Sequence, residues 1–137
     1  MKKIVLISCV KSKLPHKAKA KDLFISPLFR YKLEYARQIM PDEIFVLSSK
    51  YGLLELEQNV EPYDVILNGM NEAAKQDWAK AVLEQLAKRF DLEKDKFIFL
   101  ASISYRKYLI KKLPNHEVPF KGFRIGEQLS ELKKITS

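Results

Sequence analysis

The stretch Ile4–Lys13, IVLISCVKSK, sets the problem that this sequence poses. Its apolar run ends at Ser8 and Cys9, and lysines follow at positions 11 and 13. An uninterrupted apolar run is typical of a strand that is covered on both faces of a sheet. We therefore predict a core strand that opens, at its carboxyl end, into an anion-binding site.

The rest of the chain alternates between apolar runs and helical patterns. Buried strands are predicted at Lys3–Ile7, Glu43–Leu47 and Lys96–Leu100, with a short fourth strand around Glu117–Pro119. Helices are predicted at Pro27–Met40, Asn71–Phe90, Ser102–Leu113 and Gly126–Ile135. This alternation indicates an α/β fold, a three-layer α/β/α sandwich with a mostly parallel central sheet. A chain of this length predicts one domain over residues 1–137.

The charge of the chain favours an anionic partner. The formal net charge is +8, and the first twenty residues contain no acid. Such an excess of lysine suits nucleic acid or a phosphorylated, nucleobase-containing small molecule, because cations near phosphates release condensed counterions. An evenly basic, merely soluble surface is the alternative. The oligomeric state stays open.

Other classes of protein are excluded by composition. The apolar stretch at the start covers only Ile4–Val10, so we interpret it as a strand rather than a signal peptide and expect a cytoplasmic protein with no membrane partner. A single cysteine excludes an internal disulfide and a zinc site built on several thiolates. No histidine or carboxylate pair has metal-ligand spacing, so neither a metal nor a cofactor is predicted.

Polar side chains follow all three predicted buried strands. Ligands of open parallel sheets bind outside the carboxyl ends of the strands, where hydroxyls and lysines together suit a phosphate. The candidate ligand-binding residues at these ends are Ser8, Lys11, Lys13, Ser48, Ser49, Lys50, Tyr51, Gly52, Ser102 and Tyr105. The alternative for the serines is local: Ser102, and Ser48 or Ser49, would cap the helices that follow.

Two residues are candidates for catalysis. Cys9 would be a nucleophile made more reactive by nearby lysines, or simply a buried packing residue. Asp64 lies in the apolar segment EPYDVIL (Glu61–Leu67), where a carboxylate could orient or deprotonate water, or could serve as a turn or ion-pair residue. Its neighbour Tyr63 would stack on a base or pack in the core.

Four motifs carry a resemblance to a known family: LISCVKSK (6–13), LFISPLFRYKLEYA (23–36), FVLSSKYGLLELEQNVEPYDVIL (45–67) and PFKGFRIGEQLSEL (119–132). Their order resembles small bacterial and phage domains of unknown function and, more distantly, the peroxide-stress protein family. Phe24 replaces the tyrosine of that pattern, and Ser49 replaces its alanine. The resemblance implies a uracil-DNA-glycosylase-like fold, which is also seen in a domain of archaeal tRNA-guanine modification enzymes.

Three functions remain open at this stage. The first hypothesis is an enzyme that acts on the N-glycosidic bond of a nucleobase, with Asp64 activating water. The second is a non-catalytic DNA- or RNA-binding module in which Asp64 is structural. The third, suggested by the resemblance to the peroxide-stress protein family, is a thiol sensor that uses Cys9.

Overall fold

The computed structural model describes residues 1–137. Its strands are β1 (Lys3–Ser8), β2 (Ala18–Lys19), β3 (Glu43–Ser48), β4 (Gly52–Glu55), β5 (Asn59–Val60), β6 (Lys96–Leu100) and β7 (His116–Glu117). Its helices are α1 (Ala20–Leu23), α2 (Pro27–Gln38), α3 (Glu72–Ala87), α4 (Ile103–Arg106) and α5 (Ile125–Thr136), with 3₁₀ turns at Leu67–Gly69 and Ile110–Lys112. No helix has both the length and the apolar character that a membrane crossing requires.

Five strands form the main sheet, in the order β4-β3-β1-β6-β7. Strand β1 is central and pairs in parallel with β3 and with β6, while β7 extends β6 in parallel. Only β4 runs antiparallel, as the second arm of a hairpin with β3. The predicted α/β class and the mostly parallel sheet are therefore confirmed.

Alternate residues of the central strands face two separate cores. Ile4, Leu6 and Phe99 pack with α3, and we call this group the α3 core. Val5 and Ile7 pack on the other side with Phe29 and Leu33 of α2, which we call the α2 core. Helix α5 packs against α2. The absence of polar alternation in β1 follows from this burial on both faces.

Helix α2 begins where the sequence predicts and ends two residues early. Ser26 caps it by accepting a hydrogen bond from the Phe29 backbone N–H at 3.1 Å, and Pro27 occupies the first turn. The helix was predicted to continue to Met40, but Met40 has a left-handed φ of 50°. Pro41 is the physical reason, because a proline disfavours helical geometry at the residue before it.

The predicted helix Ser102–Leu113 is wrong. The chain forms the single turn of α4, a further turn, and then the 3₁₀ turn Ile110–Lys112. Backbone bonds there span three residues, as from Leu109 N–H to the Arg106 carbonyl at 3.0 Å. Leu109 and Leu113 are both fully buried in the α3 core.

Several short strands differ from the predictions. The fourth strand pairs through His116–Glu117 rather than Glu117–Pro119, since Pro119 has no N–H to donate. Strand β4 and the two-residue ribbon of β2 with β5 were not predicted. Gly52 permits the β3–β4 hairpin, because its φ of 73° strains any residue with a side chain.

Candidate functional site

The crevice between β1 and β3 is the candidate ligand site of this sheet. After β1 the chain crosses on the α2 side, and after β3 it crosses on the α3 side. Open α/β sheets bind ligands where the connections from neighbouring strands diverge in this way. The Cys9 N–H donates to the Leu47 carbonyl at 2.9 Å, so the pairing of the two strands extends to the edge of the crevice.

A cavity of about 270 Å³ lies at this point. Its lining residues come from the loop after β1, from the segment after β5 and from α4: Cys9, Val10, Lys11, Lys13, Asp64, Val65, Ile66 and Tyr105. The walls are mainly apolar or aromatic, and the charged groups are two cations and one carboxylate. Small-molecule sites generally have this composition.

Lys13 is held in place at the edge of the cavity. Its ammonium lies 4.6 Å from the centroid of the Tyr63 ring and 5.8 Å from that of Phe24. It also donates to the Lys11 carbonyl at 3.2 Å. Neither Lys11 nor Lys13 forms an ion pair. Two cations without acidic partners therefore border an apolar cavity.

Hydroxyl groups surround the sulfur of Cys9. Its Sγ lies 3.2 Å from Tyr105 Oη, with either atom able to donate, and makes a longer contact of 3.9 Å to Ser49 Oγ. The Ser49 hydroxyl donates to the Val65 carbonyl at 2.6 Å. This last bond ties the end of β3 to the segment that carries Asp64, so the hydroxyl and thiol groups also shape the cavity.

Tyr63 and Ser48 form a second pair beneath the cavity. The Ser48 hydroxyl donates to Tyr63 Oη at 2.7 Å and accepts from the backbone N–H groups of Lys50 and Tyr51. Burial, with Cys9 nearby, raises the pKa of Tyr63. Burial and Cys9 likewise raise the pKa of Tyr105. Both phenols therefore stay protonated at neutral pH and can donate hydrogen bonds.

Lys50 and Tyr51 lie beyond Tyr63, outside the cavity lining. The Tyr51 ring meets Tyr63 edge to face, with 5.5 Å between centroids, and the Lys50 ammonium lies 5.2 Å from the Tyr51 centroid. Tyr51 is 41% exposed, whereas Tyr63 is 6% exposed. Of these two rings, Tyr51 is the one on which an external group can stack, and Tyr63 instead positions Lys13.

The other predicted site residues have structural surroundings. Ser8 and Gly52 are buried and do not line the cavity. Ser48 caps the turn between β3 and β4, so the predicted helix cap there is wrong, because a hairpin rather than a helix follows β3. Ser102 is exposed and makes no side-chain cap bond, so its predicted helix cap is wrong.

Three lining residues were missed because they are apolar. Val10, Val65 and Ile66 provide much of the wall, and Ile66 is 53% exposed. The only sequence signal was an isoleucine two residues after a candidate carboxylate, and the sequence does not show whether such an isoleucine is buried or exposed. Trp78 was also missed: its Nε1–H donates to the Ser48 carbonyl at 2.8 Å, and its ring meets Tyr105 edge to face.

A family model described as a family of unknown function, DUF6884, matches residues 4–134. The chain belongs to this family. The DUF6884 match extends from β1 into α5 and so includes every residue that lines the cavity. The expected membership of a family of unknown function is thereby confirmed. No curated protein matches the chain.

Proposed function

We propose that this DUF6884 chain binds a nucleobase-containing phosphate, free or within a nucleic acid, in the cavity at the ends of β1 and β3. The observation that carries the proposal is the meeting of Lys11, Lys13, Asp64 and Tyr105 around one apolar cavity. A flat heterocycle suits the apolar walls and the Tyr105 ring, and its phosphate suits the two unpaired lysines.

The size of the cavity limits the ligand. Sites for drug-sized ligands typically measure ~300–1,000 Å³, and this cavity measures about 270 Å³. One ring system fills such a space, while an attached sugar and phosphate would extend towards Lys11, which is exposed. A base within a duplex would have to leave its stack to enter.

Asp64 gives the cavity an acid–base group, and we propose that it acts on an N-glycosidic bond. Water adds to the sugar carbon, the bond to the base breaks with its electron pair leaving on the base nitrogen, and Asp64 accepts the proton of the water. The base takes a proton from solvent. The carboxylate also stabilises positive charge as it develops on the sugar.

The fold that the resemblance implied is part of the same proposal. The two cores on opposite faces of the sheet support a three-layer α/β/α arrangement. The connection that follows β1 runs on the α2 side of the sheet, and the one that follows β3 runs on the α3 side. This arrangement supports a uracil-DNA-glycosylase-like domain, whose ligand would enter at the strand ends.

A binding experiment tests the lysines. Lys11→Ala combined with Lys13→Ala should weaken the binding of a short single-stranded oligonucleotide and reduce its salt dependence, measured by fluorescence anisotropy at several salt concentrations. The matched control combines Lys80→Ala with Lys134→Ala, which removes the same charge from exposed positions on α3 and α5. Equal losses in both pairs would contradict a localised site.

A second experiment separates catalysis from binding. Asp64→Asn should abolish the release of free base, followed by chromatography, while binding in the anisotropy assay is retained. Asp77→Asn, an exposed carboxylate on α3, is the control and should change neither property. If the unsubstituted chain binds ligand but releases no base from any nucleoside or oligonucleotide, the chain is a binding module.

The surroundings of Cys9 favour a second candidate, a thiol sensor. The sulfur borders the cavity and has the Tyr105 hydroxyl at 3.2 Å, a donor that can stabilise a thiolate. Thiolate attack on hydrogen peroxide would yield a sulfenate and water. Mass spectrometry after mild peroxide treatment should find one added oxygen on Cys9, formed more slowly in Tyr105→Phe. An unmodified Cys9 removes this candidate.

A further inference from the structure

Tyr51 is an exposed aromatic residue that lies close to the cavity but outside it. The residue is 41% exposed, and its ring meets that of the buried Tyr63 edge to face, with 5.5 Å between centroids. The Tyr63 centroid in turn lies 4.6 Å from the ammonium of Lys13, which lines the cavity. Tyr63 therefore joins the outer ring to the wall of the proposed ligand site.

Hydrogen bonds hold Tyr51 at this place. Two residues before it, the Ser49 hydroxyl donates to the Val65 carbonyl at 2.6 Å, and Val65 lines the cavity. The Tyr51 backbone N–H donates to the Ser48 hydroxyl at 3.0 Å, in the turn that leads into β4. Tyr51 therefore belongs to a hydrogen-bonded turn at the edge of the cavity.

A cation accompanies this ring. The Lys50 ammonium lies 5.2 Å from the Tyr51 centroid, takes part in no ion pair and donates no hydrogen bond. Lys50 is exposed, so its ammonium can move from the ring to a phosphate while a base takes its place over the aromatic face. Proteins that bind single strands combine aromatic rings for the bases with cations for the backbone in this way.

The two edges of the main sheet differ in charge. Glu43 begins β3 and Glu55 ends the antiparallel β4, so both carboxylates lie at the amino edge, where Arg89 pairs with both. At the carboxyl edge, the segments 9–17 and 49–51 contain four lysines and no acid. The cavity between these segments adds a single carboxylate. A polyanionic chain is therefore favoured along the carboxyl edge.

We infer that Tyr51 and Lys50 bind the nucleotide next to the one whose base occupies the cavity, so that the ligand is a single strand of nucleic acid rather than a free nucleotide. The inference rests on the proposed function, in which the cavity of about 270 Å³ takes one ring system. A neighbouring base must then lie outside the cavity, where the exposed ring of Tyr51 can stack on it.

The distances suit an adjacent nucleotide. Two steps through Tyr63, of 4.6 Å and 5.5 Å, lead from the Lys13 ammonium to the centroid of Tyr51. A strand within a duplex advances ~3.4 Å per nucleotide, and an unstacked strand advances further. A phosphate on Lys13 therefore leaves the next base within reach of Tyr51.

The binding of matched short ligands, measured by isothermal titration calorimetry, tests the inference. The ligands are the four deoxynucleoside 5′-monophosphates and the four trideoxynucleotides that carry the same bases between two thymidines. The trinucleotide with the preferred base should bind roughly 5- to 150-fold more tightly than its mononucleotide, because one further base stacks on an aromatic ring. Tyr51→Leu should lose this gain and leave mononucleotide binding unchanged, whereas Tyr51→Phe, which keeps the ring, should retain it.

Tyr108 and Lys111 provide matched controls. The Lys111 ammonium lies 5.3 Å from the Tyr108 centroid, close to the spacing of Lys50 and Tyr51, but neither Tyr108 nor Lys111 lines the cavity. Lys50→Ala should reduce the salt dependence of trinucleotide binding, and Lys111→Ala should not. Tyr108→Leu should keep the full gain of the trinucleotide.

The outcomes separate the inference from the proposed function. A gain that survives Tyr51→Leu would overturn the inference and leave the cavity as the whole site. Equal weakening of mononucleotide and trinucleotide by Tyr51→Leu would also overturn it, because Tyr51 would then act on the cavity through Tyr63. If neither kind of ligand binds the unsubstituted chain, the proposed function itself fails, and the inference fails with it.

A photochemical measurement on the unsubstituted chain does not depend on any variant. Trinucleotides with 5-iodouracil at either end are irradiated in the complex, and the crosslinked residue is identified by mass spectrometry. The crosslink should map to Tyr51 from one of the two ends, which also gives the direction of the strand. If neither end crosslinks to Tyr51, the adjoining nucleotide does not bind there and the inference is wrong.

Discussion

Two of the six tyrosines, Tyr63 and Tyr105, have hydroxyls held inside the fold: Tyr105 Oη lies 3.2 Å from the Cys9 sulfur, and Tyr63 Oη accepts from the Ser48 hydroxyl at 2.7 Å. Their pKa values are raised by burial first and by Cys9 second, whereas the unfolded chain ionises them near pH 10. The native state therefore binds more protons than the unfolded state above about pH 10, and stability falls as the pH rises through that range.

We predict that these two phenols ionise later than exposed tyrosines in an alkaline titration followed by phenolate absorbance. Tyr63→Phe and Tyr105→Phe should each remove one delayed group, because each change deletes one buried hydroxyl. Ionisation of all six tyrosines in a single early step would contradict these surroundings.

The sequence predicted which polar residues follow the strands, but not which of their side chains reach the cavity. The hydroxyls and cations after each strand were recognised, since the carboxyl ends of parallel strands meet at one edge. Which of them would reach the cavity depends on side-chain direction, and Lys50 and Ser102 do not line it. The burial of Lys32 in α2 was also missed, because a lysine in a helix does not reveal from sequence that it faces inward.

At the scale of the elements, two serines that precede helices offer a matched comparison. Ser26 caps α2 with a hydrogen bond at 3.1 Å, and Ser102 precedes α4 without one. Ser26→Ala should lower the free energy of unfolding by about 1 kcal/mol, and Ser102→Ala should change it by less than about 0.5 kcal/mol. Urea denaturation measures both, and equal losses would contradict the difference in capping.

Asp95 joins the start of β1 to the start of β6. Its carboxylate accepts from the backbone N–H groups of Lys2 and Asp91, each at 2.8 Å, and these bonds hold its pKa below the ordinary value. The stabilisation is therefore complete above the unfolded pKa, about 3.9 for an aspartate, and is lost as the pH falls through the lower native value.

Asp95→Asn should accordingly be less stable than the unsubstituted chain at pH 7, and the difference should shrink as the pH falls below about 4. Melting temperatures at a series of pH values measure it. Asp77→Asn, at an exposed position on α3, is the control and should melt like the unsubstituted chain at pH 7. A difference that stays constant down to pH 2 would show that the charge of Asp95 is not what stabilises the strand ends.

Elements with strong local signals were predicted well, and those that depend on distant contacts were not. Strands β1, β3 and β6 and helices α2, α3 and α5 were found to within two or three residues at their ends. The segment after β6 was predicted as one helix because its apolar spacing suits either a helix or a run of tighter turns. The two-residue strands exist only through their partners, which no local pattern reveals.

For the molecule as a whole, the central sheet separates two cores that should act independently on stability. Ile4 belongs to the α3 core and Ile7 to the α2 core. Ile4→Val and Ile7→Val should each cost ~0.5–1.5 kcal/mol. The double variant should lose the sum to within about 0.5 kcal/mol, since the two residues share no core.

The comparison pair is Ile4→Val with Phe97→Leu, two neighbours in register within the α3 core. Their losses should deviate from the sum by more than about 0.5 kcal/mol, because each change alters the packing of the other. Urea denaturation of all single and double variants completes both cycles. Strong coupling between Ile4 and Ile7 would mean that the sheet transmits packing changes from face to face.

The position of Trp78 has a practical consequence. It is the only tryptophan of the chain, its ring contacts Tyr105 with 5.6 Å between centroids, and its indole is bonded to the last residue of β3. Its emission comes from one known place, with only the Tyr105 side chain between it and the proposed ligand. The molecule therefore contains its own optical reporter, with which unlabelled compounds can be screened for occupancy before any substrate is identified.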